Sequence, residues 1–153
     1  MEIIKLAFQL TISVGAAFLA AWLAAKRFRQ DKLWEKKMEA YSALIDALHN
    51  MKFPPGEHFD FAVERRDINE EYSQELWDEF KVARRNVLRI AESSSLLISH
   101  EVLEAVQTME RGLSNANSAH TWEEHLDDQY AAVRKCLVRI KIIGARELGV
   151  KNT

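Results

Sequence analysis

The chain has little of anything that breaks or cross-links a helix. It holds one cysteine, five scattered glycines and two prolines, which stand side by side at Pro54-Pro55. A single cysteine, Cys136, excludes an intrachain disulfide and a cysteine-clustered zinc site, and it suits a reducing compartment. Scattered glycines build no phosphate-cradling loop. No stretch alternates apolar and polar residues long enough to read as a strand. Excess charge of one sign is also missing: 21 Lys and Arg stand against 23 Asp and Glu, a net charge of −2. A dedicated nucleic-acid binder normally shows a basic surplus, so direct nucleic-acid binding is not expected.

What the chain does have is an uncharged run from Leu6 to Ala25 followed at once by Lys26-Arg27-Phe28-Arg29. At about 1.5 Å per residue the run reaches roughly 30 Å, the thickness of a bilayer's hydrocarbon core. A cleavable signal peptide has a basic start and a shorter apolar region. Here Lys5 is offset by Glu2 and the run is long, so a retained anchor is expected over residues 1–25. Lys26, Arg27, Arg29 and Lys32 follow it and suit anionic headgroups, which by the positive-inside rule places the bulk of the chain in the cytosol and the N-terminus outside. The localisation expected is the inner, cell membrane. Within the run, Gln9, Ser13, Ala17 and Ala21 recur every four residues, as do Ala16, Ala20 and Ala24. Small side chains at that spacing let helix backbones approach closely, and Gln9 in lipid favours a partner. Self-association through this face, giving a homo-oligomer, is the expectation.

Residues 26–153 read as one cytosolic domain. Trp34, Met38, Tyr41, Ile45 and Leu48 recur at steps of four and three, the seam of a bundle helix over about 26–52. Phe53-Pro54-Pro55-Gly56 is expected to end it. A second helix over about 67–93 carries Ile68, Tyr72, Leu76, Phe80, Ala83, Val87 and Ile90 on one face. Ser99 is the expected N-cap of a third helix (99–114), with Val102, Leu103, Val106, Met109 and Leu113 inward. Thr121 with Glu124 three residues on forms a capping box and opens a fourth helix over about 121–147, carrying Tyr130, Val133, Leu137, Ile140 and Ile143. The fold class expected is all-α: one transmembrane helix continuing into an antiparallel bundle of about four helices.

Signals for chemistry are sparse. His120, Glu123, Glu124 and His125 cluster in sequence, but two metal-binding histidines on a helix stand four apart and these stand five apart, with His120 ahead of the cap. No metal and no cofactor is expected. Cys136 reads as a small buried thiol. Arg85 and Arg89 share one helix face, as do Lys135 and Arg139, and the two pairs would form a phosphate or RNA groove if the second and fourth helices were neighbours. No residue set reads as catalytic, and the chain is expected not to be an enzyme.

In the order of its elements, including the juxtamembrane Trp34-Glu35-Lys36-Lys37…Tyr41 helix, the chain resembles small bacterial single-span membrane proteins with a cytosolic helical bundle. Among them are the membrane-pore accessory proteins of RNA-targeting CRISPR systems. Their bundle is similar to HEPN nuclease domains, whose Arg is closely followed by a His. Here Arg89 and His100, and Arg111 and His120, stand too far apart. The resemblance implies an oligomeric membrane effector or pore in a bacterial antiviral response, with the bilayer and a cytosolic protein or ribonucleoprotein as partners. The alternative is a tether or adaptor that holds a cytosolic protein at the membrane.

Overall fold

The structure, a computed structural model, describes the backbone of residues 2–150 and the side chains of residues 16–150. It is all-α, with α1 (Glu2–Val63), α2 (Glu70–Ser93), α3 (His100–Ala116) and α4 (Trp122–Leu148), and no strand among the described residues. The chain divides into two units, Met1–Lys36 and Lys37–Thr153.

In the first unit every described side chain, from Ala16 to Lys36, is exposed. Phe18 is 75% exposed, Leu19 59%, Trp22 51% and Leu23 53%, so this stretch presents large apolar side chains that are exposed among the described residues. Lys26 sits over the Trp22 ring at 5.4 Å, and Lys32 pairs with Glu35 at 2.6 Å. Among the described residues no helix is long and apolar enough to cross a membrane. Residues 6–15 of the expected span, with Gln9 and Ser13 of its small face, lie outside the described side chains.

The second unit is an up-down-up-down bundle. Helix α1 lies along α4, where Lys37 and Tyr41 reach Glu147 and Gly56 meets Tyr130. It also lies along α2, where Tyr72 Oη meets Glu57 at 3.4 Å. Arg84 of α2 grips Glu110 of α3, donating from Nε at 3.0 Å. Arg146 of α4 donates to Glu101 of α3 at 2.7 Å. Each helix therefore packs along two neighbours around one core, built from Tyr41, Leu44, Leu48, Met51, Val87, Val102, Met109, Val133 and Ile140 among others.

The core face of α1 is turned from the one that spacing suggested. Tyr41 and Leu48 are buried, but Trp34 and Met38 remain 45% and 40% exposed, and Ala40, Leu44, Ala47 and Met51 take their place. Aromatic and thioether side chains dominate a hydropathy pattern, whereas two alanines mark where α1 packs closest.

The proline pair does not end α1. Each proline removes an amide donor to the carbonyl four residues back, at a cost of about 3 kcal/mol in an ordinary helix interior. Here Met51, Pro54, Pro55 and His58 are all buried on the bundle side of the same helix. Burial of large apolar side chains, at about 1.5–3 kcal/mol each, offsets that cost, as tertiary context often overrides propensity. The helix stops at Arg65, whose φ of 54° is left-handed. The Arg66 amide then donates to Phe61 and the Arg65 amide to Ala62, a Schellman closure with arginine where glycine is usual. At the end of α4 glycine does occupy that position: Gly149 has φ 69°.

The other boundaries follow local chemistry. Asn69 caps α2, its Oδ1 accepting from the Glu71 amide at 2.9 Å, so α2 begins three residues later than Asp67. Ser99 stands at the N-cap of α3 but makes no side-chain cap. Thr121 Oγ1 accepts from the Glu124 amide at 3.1 Å, and Glu124 reaches back to the His120 amide at 2.9 Å. The capping box is present, its carboxylate gripping the residue before the cap.

Candidate interaction surfaces

Three features of the bundle can do something beyond holding it together. The first is the outer face of α4. A cleft of about 660 Å³ runs along it, floored by Val138 and Ile142 and lined by Tyr130, Arg134, Lys135, Arg139 and Arg146. Val138 and Ile142 are 49% and 57% exposed. At 3.6 residues per turn, Arg134 falls on one side of this apolar strip and Lys135, Arg139 and Arg146 on the other. Arg146 is held by Glu101. Among the described residues Arg134, Lys135 and Arg139 make no ion pair, and Asp127 is the other acid on the rim. The face is therefore apolar along its middle and cationic along both edges.

The second is a groove of about 890 Å³ between α1 and α2. Its apolar centre is Phe53 and Val82, each 48% exposed, and its α2 edge is Glu75, Asp78 and Glu79. Asp78 is bound by Lys81 at 3.0 Å and Gln74 at 3.1 Å, which hold its carboxyl below the usual range. Glu75 and Glu79 have no cation partner among the described residues. This surface carries the opposite sign from α4.

The third is a ring cluster where α1, α2 and α4 meet. His58 is 4% exposed and stacks on Trp77 at 4.6 Å, with Trp122 edge-on at 6.4 Å. Its Nε2 is buried without a hydrogen-bond partner among the described residues. Burial pushes its pKa below 6.5, while a backbone group of Ser73 and the Glu57 carboxylate pull the other way. The neutral ring is thus the folded form. Because the unfolded chain then binds the proton more readily, stability is full above about pH 6.5 and falls as the pH drops through the lower folded value. Thermal melts should show the wild-type chain losing stability as the pH falls below about 6.5, with His58→Phe nearly flat over the same range. Equal slopes for the two proteins would assign the acid sensitivity elsewhere. A signal for His58 does exist in the sequence: Leu48, Met51, Pro55 and His58 continue the three-and-four spacing straight through the prolines.

A polar network ties α1 to α4. Tyr41 Oη donates to Glu147 Oε2 at 2.8 Å, and Lys37 Nζ lies 2.7 Å from the same oxygen. Burial, then the bond to Glu147, pushes the Tyr41 phenol up to about 12. Burial also acts to raise Glu147, but the Lys37 ammonium and the Tyr41 hydroxyl donating to it outweigh that and hold the carboxyl low. These are structural contacts.

The residues singled out from sequence fall as follows. Lys135 and Arg139 line one cleft together, while Arg85 and Arg89 lie on α2 and do not line it. Helix α3 packs against both α2 and α4, so the two pairs are not brought into a common groove. Ala16, Ala17, Ala20, Ala21 and Ala24 are exposed, as are Lys26, Arg27, Arg29 and Lys32. His125 anchors one helix to the next, its Nδ1 lying 2.7 Å from the carbonyl of Ala116, the last residue of α3. His120, His100 and His49 are on the surface. Cys136 is buried on α4, and desolvation pushes its thiol up to about 12. Among the described residues no group of three or more His, Cys, Asp or Glu could hold a metal ion. No family model matches the chain, and no curated protein or solved structure matches it either.

Proposed function

We propose that this chain is a non-enzymatic, single-span membrane protein that works by binding, tethering a cytosolic partner to the cell membrane through its helical bundle. The observation that carries the reading is the row of exposed Phe18, Leu19, Trp22 and Leu23 on α1. It continues the uncharged run that starts at Leu6 and is closed by Lys26, Arg27 and Arg29. Apolar side chains at that density favour a covering phase, and an apolar stretch closed by cations on one side suits a bilayer with its cytosolic surface beyond Lys26. The two bundle faces, one cationic and one acidic, each with an apolar centre, suit protein contacts better than turnover of a small substrate.

The test is fractionation of cells expressing the full chain, followed by an alkaline carbonate wash. The chain should stay in the membrane pellet, and Leu19→Glu with Leu23→Glu should release it. Recovery of the unaltered chain in the wash would end the anchor reading. A second reading, a membrane-permeabilising oligomer, draws on the exposed small residues Ala17, Ala21 and Ala24, which favour close helix contacts in lipid. Ion flux from liposomes holding the purified chain favours this reading; intact liposomes, with function kept after the anchor is exchanged for an unrelated span, favour the tether.

A further inference from the structure

The two charged faces of the bundle lie on different helices and complement each other. On α4, Val138 and Ile142 form an exposed apolar strip flanked by Arg134, Lys135 and Arg139, which are unpaired among the described residues. On α1 and α2, Phe53 and Val82 form an exposed apolar centre edged by Glu75 and Glu79, likewise unpaired among the described residues. We infer that the partner of the α4 face is the α1–α2 groove of a second copy of this chain.

Three observations point to a second copy. The charge signs are opposite, so juxtaposition neutralises Arg134 and Arg139 against Glu75 and Glu79 while Val138 and Ile142 meet Phe53 and Val82. This is the apolar centre and charged rim of a protein interface. The chain's net charge is only −2, so copies whose local patches attract meet little long-range repulsion. Finally, the contacts that hold the bundle, Tyr41–Glu147, Arg84–Glu110 and Arg146–Glu101, do not engage these four charged groups. Because the two faces differ, the contact is heterologous. A copy that has docked through α4 still offers its groove, and association continues until a ring closes or a filament grows. This contact uses the bundle alone, so it stands whether or not residues 6–25 enter a membrane.

The experiment uses the full chain in mild detergent, with mass measured by sedimentation. Two reversed variants are prepared, Arg134→Glu with Arg139→Glu, and Glu75→Arg with Glu79→Arg. All four side chains lie at the bundle surface, and a melting curve checks that each variant folds. Each variant alone should lose the wild-type assembly by about tenfold in the concentration needed, since like charges then face each other. An equimolar mixture should recover it. As an independent readout, Val138→Cys and Val82→Cys chains should form an intermolecular disulfide only when mixed. Unchanged mass in both reversed variants, a mixture that stays dissociated, or no mixed disulfide would each overturn the inference. Unchanged mass would then assign association to the small-residue face of α1.

Discussion

Leu44→Ala should cost the bundle about 2–5 kcal/mol, because it deletes a fully buried side chain from a core that cannot close around the gap. Leu44 is 0% exposed and packs among Tyr41, Leu48 and the inward residues of α3 and α4. The informative partner is Met38→Ala. Spacing placed Met38 on the inner seam and left Leu44 off it, whereas Met38 is 40% exposed. Urea unfolding should therefore give a large drop in midpoint for Leu44→Ala and about 0.5 kcal/mol or less for Met38→Ala. The reverse order would return the core face to Trp34, Met38 and Ile45.

Gly144→Leu should destabilise by about 1–3 kcal/mol or more through overpacking. A Cβ at this position would stand 2.9 Å from Cδ1 of Tyr41. Tyr41 is itself 2% exposed and held by Glu147, so its ring has nowhere to move. Gly56 provides the control. A Cβ there would meet Tyr130 at 3.3 Å, but Tyr130 is half-buried and can give way. Gly56→Ala should raise stability by up to about 1 kcal/mol, the usual gain over glycine inside a helix. A Gly144→Leu chain that melts at or above the wild-type temperature would contradict the α1–α4 packing at Tyr41.

How far the bundle could be read in advance depended on where local signals and packing agreed. For α4 they agreed on the Thr121–Glu124 cap and on Val133, Leu137, Ile140 and Ile143 as the inward face, while Tyr130, expected with them, is half-buried beside the outer cleft. For α2 and α3 they agreed on the faces, with the start of α2 displaced only to its Asn69 cap. They disagreed on α1, where Pro54-Pro55-Gly56 is a strong local stop that burial of Pro54, Pro55 and His58 overrides. The α4 surface was half legible. Lys135 and Arg139 were visible as a pair, but Arg85 and Arg89 were assigned to them only because helix order around the bundle is not encoded in any one helix. The acidic groove was not legible, since Phe53 was assigned to a turn and only continuation of α1 brings it beside Val82.

Cys136 gives the bundle an intrinsic clock. Its thiol is 4% exposed and pushed up to about 12 by burial, so a soluble thiol reagent reacts mainly during excursions in which α4 leaves its neighbours. The labelling rate of the unaltered chain therefore counts those excursions directly. Anything that docks on α4, whether a second copy or another protein, should slow the count without touching the sulfur.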